Sequence, residues 1–146
     1  MLPAKLIITL GALLYGLGVP LLEINSTHVF NPQWEAHARL HEVWQLATNS
    51  ALALLSLWLA WGRNNIRLPS ILAMLVTGGF LFAYLVREGY GGSMVLSDGS
   101  EKLLFGLNLG AFAFGSVFLL SALTLLLPDP SKQPQSNANQ DQVHHG

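Results

Sequence analysis

The run L-P-S-I-L-A-M-L-V-T-G-G-F-L-F-A-Y-L-V, Leu68 to Val86, carries no charged side chain. An uninterrupted apolar stretch of this length matches the roughly 20 residues that a helix needs to cross a bilayer. Pro69 suits its first turn, where a missing amide proton costs nothing. Three further apolar runs flank it, and the four together predict spans at about residues 6–22, 32–61, 68–87 and 103–127. Gly11, Gly16 and Gly18 give the first span a thin face, and Pro20 is tolerated near its end. Lys5 ahead of an apolar run also fits a secretory signal peptide, but no Ala-x-Ala cleavage site precedes Glu23.

Composition agrees with a membrane solvent. Hydrophobic residues make up 51% of the 146, charged residues only 10%, and the mean hydropathy is +0.45. A water-soluble domain of this size needs more charge than that. A net charge of -1 gives no case for a nucleic-acid partner. The absence of cysteine removes disulfides, thiolate metal sites and redox dithiols.

Orientation follows from the basic residues. Arg63 and Arg67 stand without an acid in the connection W-G-R-N-N-I-R-L, whereas the connections around Glu23–Gln45 and Arg87–Lys102 are acidic or balanced. The positive-inside rule therefore places the Arg63/Arg67 loop in the cytoplasm, and Lys5 and Lys132 agree. The expected fold is all-α: an integral membrane four-helix bundle over residues 1–128, both termini cytoplasmic, followed by a disordered tail over 129–146. Pro128 and Pro130 stop the last span, and His144 and His145 belong to the solvated tail. In a bacterial cell this is a multi-pass protein of the inner membrane. Its first and third connections, the latter including the turn-rich stretch Gly89–Gly92 and Asp98-Gly99, then share the outer face.

Between the first two spans lies E-I-N-S-T-H-V-F-N-P-Q-W-E-A-H-A-R-L-H-E-V-W-Q-L-A-T-N, Glu23 to Asn49, with three of the five histidines and three of the eight acidic residues. Asn31 followed by Pro32 reads as a helix start, Asn capping free amides and Pro filling the first turn. The helix that follows is expected to run about 30 residues, or about 45 Å, which exceeds the hydrocarbon layer. At 100° per residue, Trp34, His37, His41, Gln45 and Thr48 share one face, with Glu35, Glu42 and Asn49 in a row beside it and Arg39 flanking. A polar stripe is costly against lipid, so it is expected to face the interior or a water-filled recess. The plainer readings are an i, i+4 pair between Glu35 and Arg39 and an aromatic belt of Trp34 and Trp44.

Two chemistries fit the stripe. In the first, His37, His41, Glu42 and Arg39 move protons on a small lipophilic molecule held by Glu23, His28, Asn31, Trp34, Trp44, Gln45, Asn49 and Asn108. In the second, His37 and His41, four apart, share a metal ion with His28 and with Glu23 or Glu42. A haem held by His37 or His41 together with His28 is a variant of that idea. A structural subunit of a larger membrane complex, or a homo-oligomer, is the alternative that needs no chemistry. Gly106, Gly110, Ala111 and Gly115 set small-x-x-x-small steps on the fourth span, which suit close helix packing. No phosphate-binding glycine loop and no serine or cysteine triad is present.

The words T-H-V-F-N-P-Q-W-E-A-H-A-R-L-H, Thr27 to His41, resemble the T-H-x-F-N-P-x-W-x-x-H-A-[RK]-x-H signature of a family of small four-span membrane proteins of unknown function. The resemblance implies that His28, Asn31, Pro32, Trp34, His37, Arg39 and His41 form a working set. Where that pattern commonly has proline after the tryptophan, this chain has Glu35. The four-span layout is also similar, in architecture alone, to the sterol-isomerising emopamil-binding family.

Overall fold

The computed structural model of the chain describes residues 1–96 and 99–127. The tail expected over 129–146, the stop at Pro128 and Pro130, and Asp98 of the turn-rich loop lie outside the described residues. Four helices follow one another: α1 Leu2–Glu23, α2 Ala36–Gly62, α3 Arg67–Tyr90 and α4 Leu109–Leu125. A single hairpin, β1 Leu103–Leu104 with β2 Leu107–Asn108, precedes α4. The architecture is all-α apart from that hairpin. By length and composition α1, α2 and α3 are able to cross a membrane, and α4 is apolar but shorter, at 17 residues.

Two helix starts differ from expectation, each for a local reason. The second helix begins at Ala36 and not at Pro32. Asn31 Oδ1 accepts the amide of Gln33 at 3.0 Å, which closes a short side-chain turn, and Glu35 then sits at ψ 138, an extended conformation. Asn31 caps that turn instead of the helix. The fourth helix begins at Leu109 and not at residue 103. Phe105 and Gly106 have φ of 52° and 80°, so the chain reverses there and Leu103 pairs with Asn108. Positive φ at both central residues is the mark of a tight hairpin turn and is incompatible with a continuing helix. Asn108 Oδ1 then accepts from the amide of Ala111 at 3.1 Å and caps α4.

Small residues fill the interior and large apolar ones cover the exterior. Ala12, Tyr15, Ala53, Ala73 and Phe114 form the central cluster, with Phe80 packed on Phe114 at 4.5 Å. Ala4, Ile8, Ala60 and Ile66 form a second cluster at one end. Leu10, Leu54, Leu75 and Leu119 are all about two-thirds exposed. This inverts the pattern of a water-soluble domain, in which large aliphatics supply the core.

Helices built this way approach closely, because small side chains let backbones meet. The tightest approach is α1 on α2: a Cβ built on Gly16 falls 2.2 Å from Ala53 Cβ. The hydroxyl of Ser50 donates to the carbonyl of Gly16 across the same contact at 2.8 Å. Buried side-chain polar groups are paired within the interior, apart from the Ser121 hydroxyl, which has no partner among the described residues. Tyr15 donates to Ser56 at 3.2 Å, Thr77 to the Ala73 carbonyl at 2.7 Å, and Ser70 bonds Thr124.

The two ends of the molecule differ in charge. Lys5 reaches Asn64 at 2.6 Å and lies over the Trp61 ring at 5.1 Å, so the start of α1 meets the Arg63/Arg67 connection. Glu23 lies at the other end, with Glu42 and Lys102 each within electrostatic range of it.

Candidate functional site

The segment after α1 folds back on the end of that helix. Val29 donates its amide to the Glu23 carbonyl at 3.2 Å and Phe30 to the Asn25 carbonyl at 2.9 Å. Asn31, buried, ties the segment from within: its Nδ2 donates to the Thr27 carbonyl at 3.0 Å. These bonds carry His28 back over Glu23, and His28 Nε2 meets Glu23 Oε2 at 2.9 Å. Trp34 closes the other side of the imidazole, edge to face at 5.5 Å.

The proton positions at this pair follow from the network. Thr27 Oγ1 gives its only proton to Asn25 Oδ1 at 2.7 Å, so it can only accept from His28 Nδ1, which lies 2.8 Å away. His28 Nδ1 is therefore a donor, assigned from the hydrogen-bond pattern. The remaining nitrogen and the carboxylate share one proton across 2.9 Å, held by either partner. Glu42 reaches both Glu23 and His28 electrostatically, and Lys102 reaches Glu23. Both side chains of the pair are about one-quarter exposed.

An apolar cleft of about 390 Å³ is lined by chain neighbours of the pair. Pro20 and Ile24 from the end of α1, Val29 and Phe30 from the folded-back segment, and Val43, Leu46, Ala47 and Ser50 from α2 line it. Ile24, Val29 and Val43 are chain neighbours of Glu23, His28 and Glu42 respectively, so the cleft and the ionisable cluster are held by the same backbone.

The remaining residues singled out in the sequence fall elsewhere. The stripe on α2 does not face the interior. Leu46, Ala53, Ser56 and Ala60 are the buried side of that helix, fixed there by the small-residue contact with Gly16. His37, His41, Trp44, Gln45 and Thr48 consequently stand exposed on its outer flank. His37 and His41 meet, Nε2 to Nε2, at 3.0 Å, and Trp44 stacks on His41 at 5.7 Å. A second, open cleft of about 330 Å³ is lined by His41, Trp44, Gln45, Thr48 and Asn49. Glu42 and Asn49 sit at the edge between the two sides, half-buried and without a side-chain hydrogen bond among the described residues, where burial away from lipid and hydrogen bonding within the bundle were expected.

Arg39 is half-buried and does not pair with Glu35. Asn108 does not reach the stripe; it caps α4 and donates to Glu101 at 3.0 Å. Among the described residues no three of His, Asp and Glu come together to hold a metal ion, so His28 does not join His37 and His41.

Lys102 is the member of the cluster that residue patterns did not single out. Its place just before the fourth apolar run, on the connection that shares an end with Glu23, was the available signal. Against protein-family models, curated proteins and solved structures, the chain gives no match.

Proposed function

We propose that this chain is a four-pass integral membrane protein with both termini cytoplasmic, and that the Glu23–His28 cluster receives a small lipophilic molecule on the outer side. The observation that carries this reading is the 2.9 Å contact of His28 with Glu23, held by the same segments that wall an apolar cleft with Pro20, Val29 and Leu46. A cleft of about 390 Å³ is of the size that holds small ligands, with a few polar groups fixing one end. Two carboxylates and one imidazole favour a polar end that is cationic or donates hydrogen bonds, and disfavour an anionic one. The chemistry available there is proton transfer to or from that end.

The membrane part of the proposal has its own support. Three helices have the length and composition to cross, and α4 is about 26 Å long, at the short limit of a span. Lys5, Arg63 and Arg67 gather at the opposite end from Glu23 and Glu42, as the positive-inside rule requires of a cytoplasmic face. The cysteine-free chain makes this directly testable. In sealed, right-side-out vesicles, Ser93→Cys is expected to react with an impermeant maleimide and Asn64→Cys only after permeabilisation. The opposite pattern inverts the protein and moves the cluster to the cytoplasmic side.

The ligand class is tested with three photoreactive probes of equal chain length, a long-chain amine, alcohol and fatty acid, each with a diazirine on the chain. The amine and alcohol are expected to label the segment 20–50 and the fatty acid to label it weakly. Ala47→Trp, which fills the cleft from an exposed position, is expected to suppress labelling without altering the melting temperature. Equal labelling by all three probes, or labelling unaffected by Ala47→Trp, refutes the site.

A further inference from the structure

The outer flank of α2 has a spacing of its own. His41, Gln45, Thr48, Ala51, Leu55 and Trp58 recur at three- and four-residue steps, and all are exposed. A period of 3.5 residues is the pattern that keeps one seam of a helix against a second helix over several turns. Among the described residues Gln45 and Thr48 find no side-chain hydrogen-bond partner. They stand where the apolar part of α2 begins, beside an open cleft that has His41 and Trp44 as its other walls. Lipid chains offer nothing to such groups, and an unpaired polar group in hydrocarbon is costly.

The chemistry of the seam selects the occupant. Histidine, glutamine and threonine each carry both a donor and an acceptor, so each can bond a copy of itself. Arg39 and Glu42, which would repel their own copies, lie off this line. Thr48 and Ala51 are small, which lets a second backbone come near. Copies inserted in one membrane with one topology can meet about a two-fold axis along the membrane normal, and such an axis sets each residue against its like.

We propose that two copies of this chain pair in parallel through the outer flank of α2, with His41, Gln45 and Thr48 each facing its counterpart. The pairing rests on the membrane-spanning part of the function proposed above and is independent of the ligand. It accounts for the polar side chains of Gln45 and Thr48 on the outside of a helix whose exposed residues from Ala51 to Trp61 are apolar.

Oxidative cross-linking of single-cysteine variants in native membrane vesicles tests the pairing, since the chain has no cysteine of its own. Gln45→Cys, Thr48→Cys and Leu55→Cys are expected to give a covalent species of twice the chain mass. Leu10→Cys and Leu75→Cys, equally accessible but on α1 and α3, are expected to remain single. Ala51→Trp added to Thr48→Cys is expected to lower the cross-linked yield about tenfold, because a bulky side chain holds the seam apart. A chain that resists alkaline carbonate extraction yet gives no seam cross-link overturns the pairing alone. So does equal cross-linking at the control positions, or a cross-link to a protein of another mass. Release by carbonate overturns the membrane reading and the pairing with it.

Discussion

Gly16→Leu is expected to prevent the chain from reaching its folded state. At this position a β-carbon meets Ala53 Cβ at 2.2 Å, with the Asn49 carbonyl oxygen and the Ser50 Cα at 3.5 and 3.6 Å behind it. None of these atoms belongs to a flexible side chain that can rotate away, so the helices must separate. Separation breaks the Ser50 to Gly16 bond of 2.8 Å and strains the bond between Tyr15 and Ser56. Overpacking costs about 1–3 kcal/mol and each lost hydrogen bond about 1 kcal/mol. The sum, on the order of 4 kcal/mol, is a large part of the stability of a small protein. Thermal unfolding in detergent measures it, with Gly79→Leu as control, since a β-carbon there meets nothing within 4 Å. Gly16→Ala is expected to be milder and to be partly rescued by Ala53→Gly, a coupling that only direct contact produces. If Gly16→Leu melts with the wild-type chain, α1 and α2 do not meet at this point.

The same contact explains what the sequence made legible and what it hid. Apolar length located all four helices, because a long uncharged run has few alternatives to a helix. The helix starts were harder. Both were decided by single side chains, Asn31 capturing the Gln33 amide and Phe105-Gly106 turning at positive φ, and such effects leave hydropathy unchanged. The outward direction of the polar stripe was hidden for a different reason. The expectation that polar residues face inward treats polarity as the quantity that sorts the faces of a helix. In this chain size sorts them: Ala53, Ser56 and Ala60 lie inside because Gly16 and its neighbours leave room only for small groups. His41, Trp44 and Gln45 are too large for that contact.

Glycine and alanine spacing was therefore the better guide to the buried face, and it was present in the sequence. The site was half legible. The dense stretch Glu23–Asn49 does hold the ionisable cluster, yet the pairing of Glu23 with His28 depends on the chain reversing between them. Asn25, Thr27 and Asn31 bring that reversal about through side-chain bonds.

Glu23→Gln is expected to lower capture of the long-chain amine probe by about tenfold or more, the worth of a hydrogen bond to a charged group. The amide keeps the size of the carboxyl and its NH2 can donate to His28 Nε2, the acceptor nitrogen when Nδ1 carries the proton, so the segment that folds over α1 remains anchored. Asn31 and the Thr27 network hold that segment independently of Glu23. The melting temperature is accordingly expected to move little, because an ion pair about one-quarter exposed contributes at most about 1 kcal/mol. His28→Gln is expected to lower capture less, since Glu23 and Glu42 still present two carboxylates to a cationic end. The alcohol probe reverses that order. It depends on the shared proton more than on net charge, so His28→Gln and Glu23→Gln reduce its capture alike. A scaffold role for the pair predicts a different pattern, in which both variants lower the melting temperature together and the two probes respond in parallel. Measuring melting and capture on the same preparations separates the two accounts. Unchanged capture of both probes by Glu23→Gln removes the carboxylate from the site.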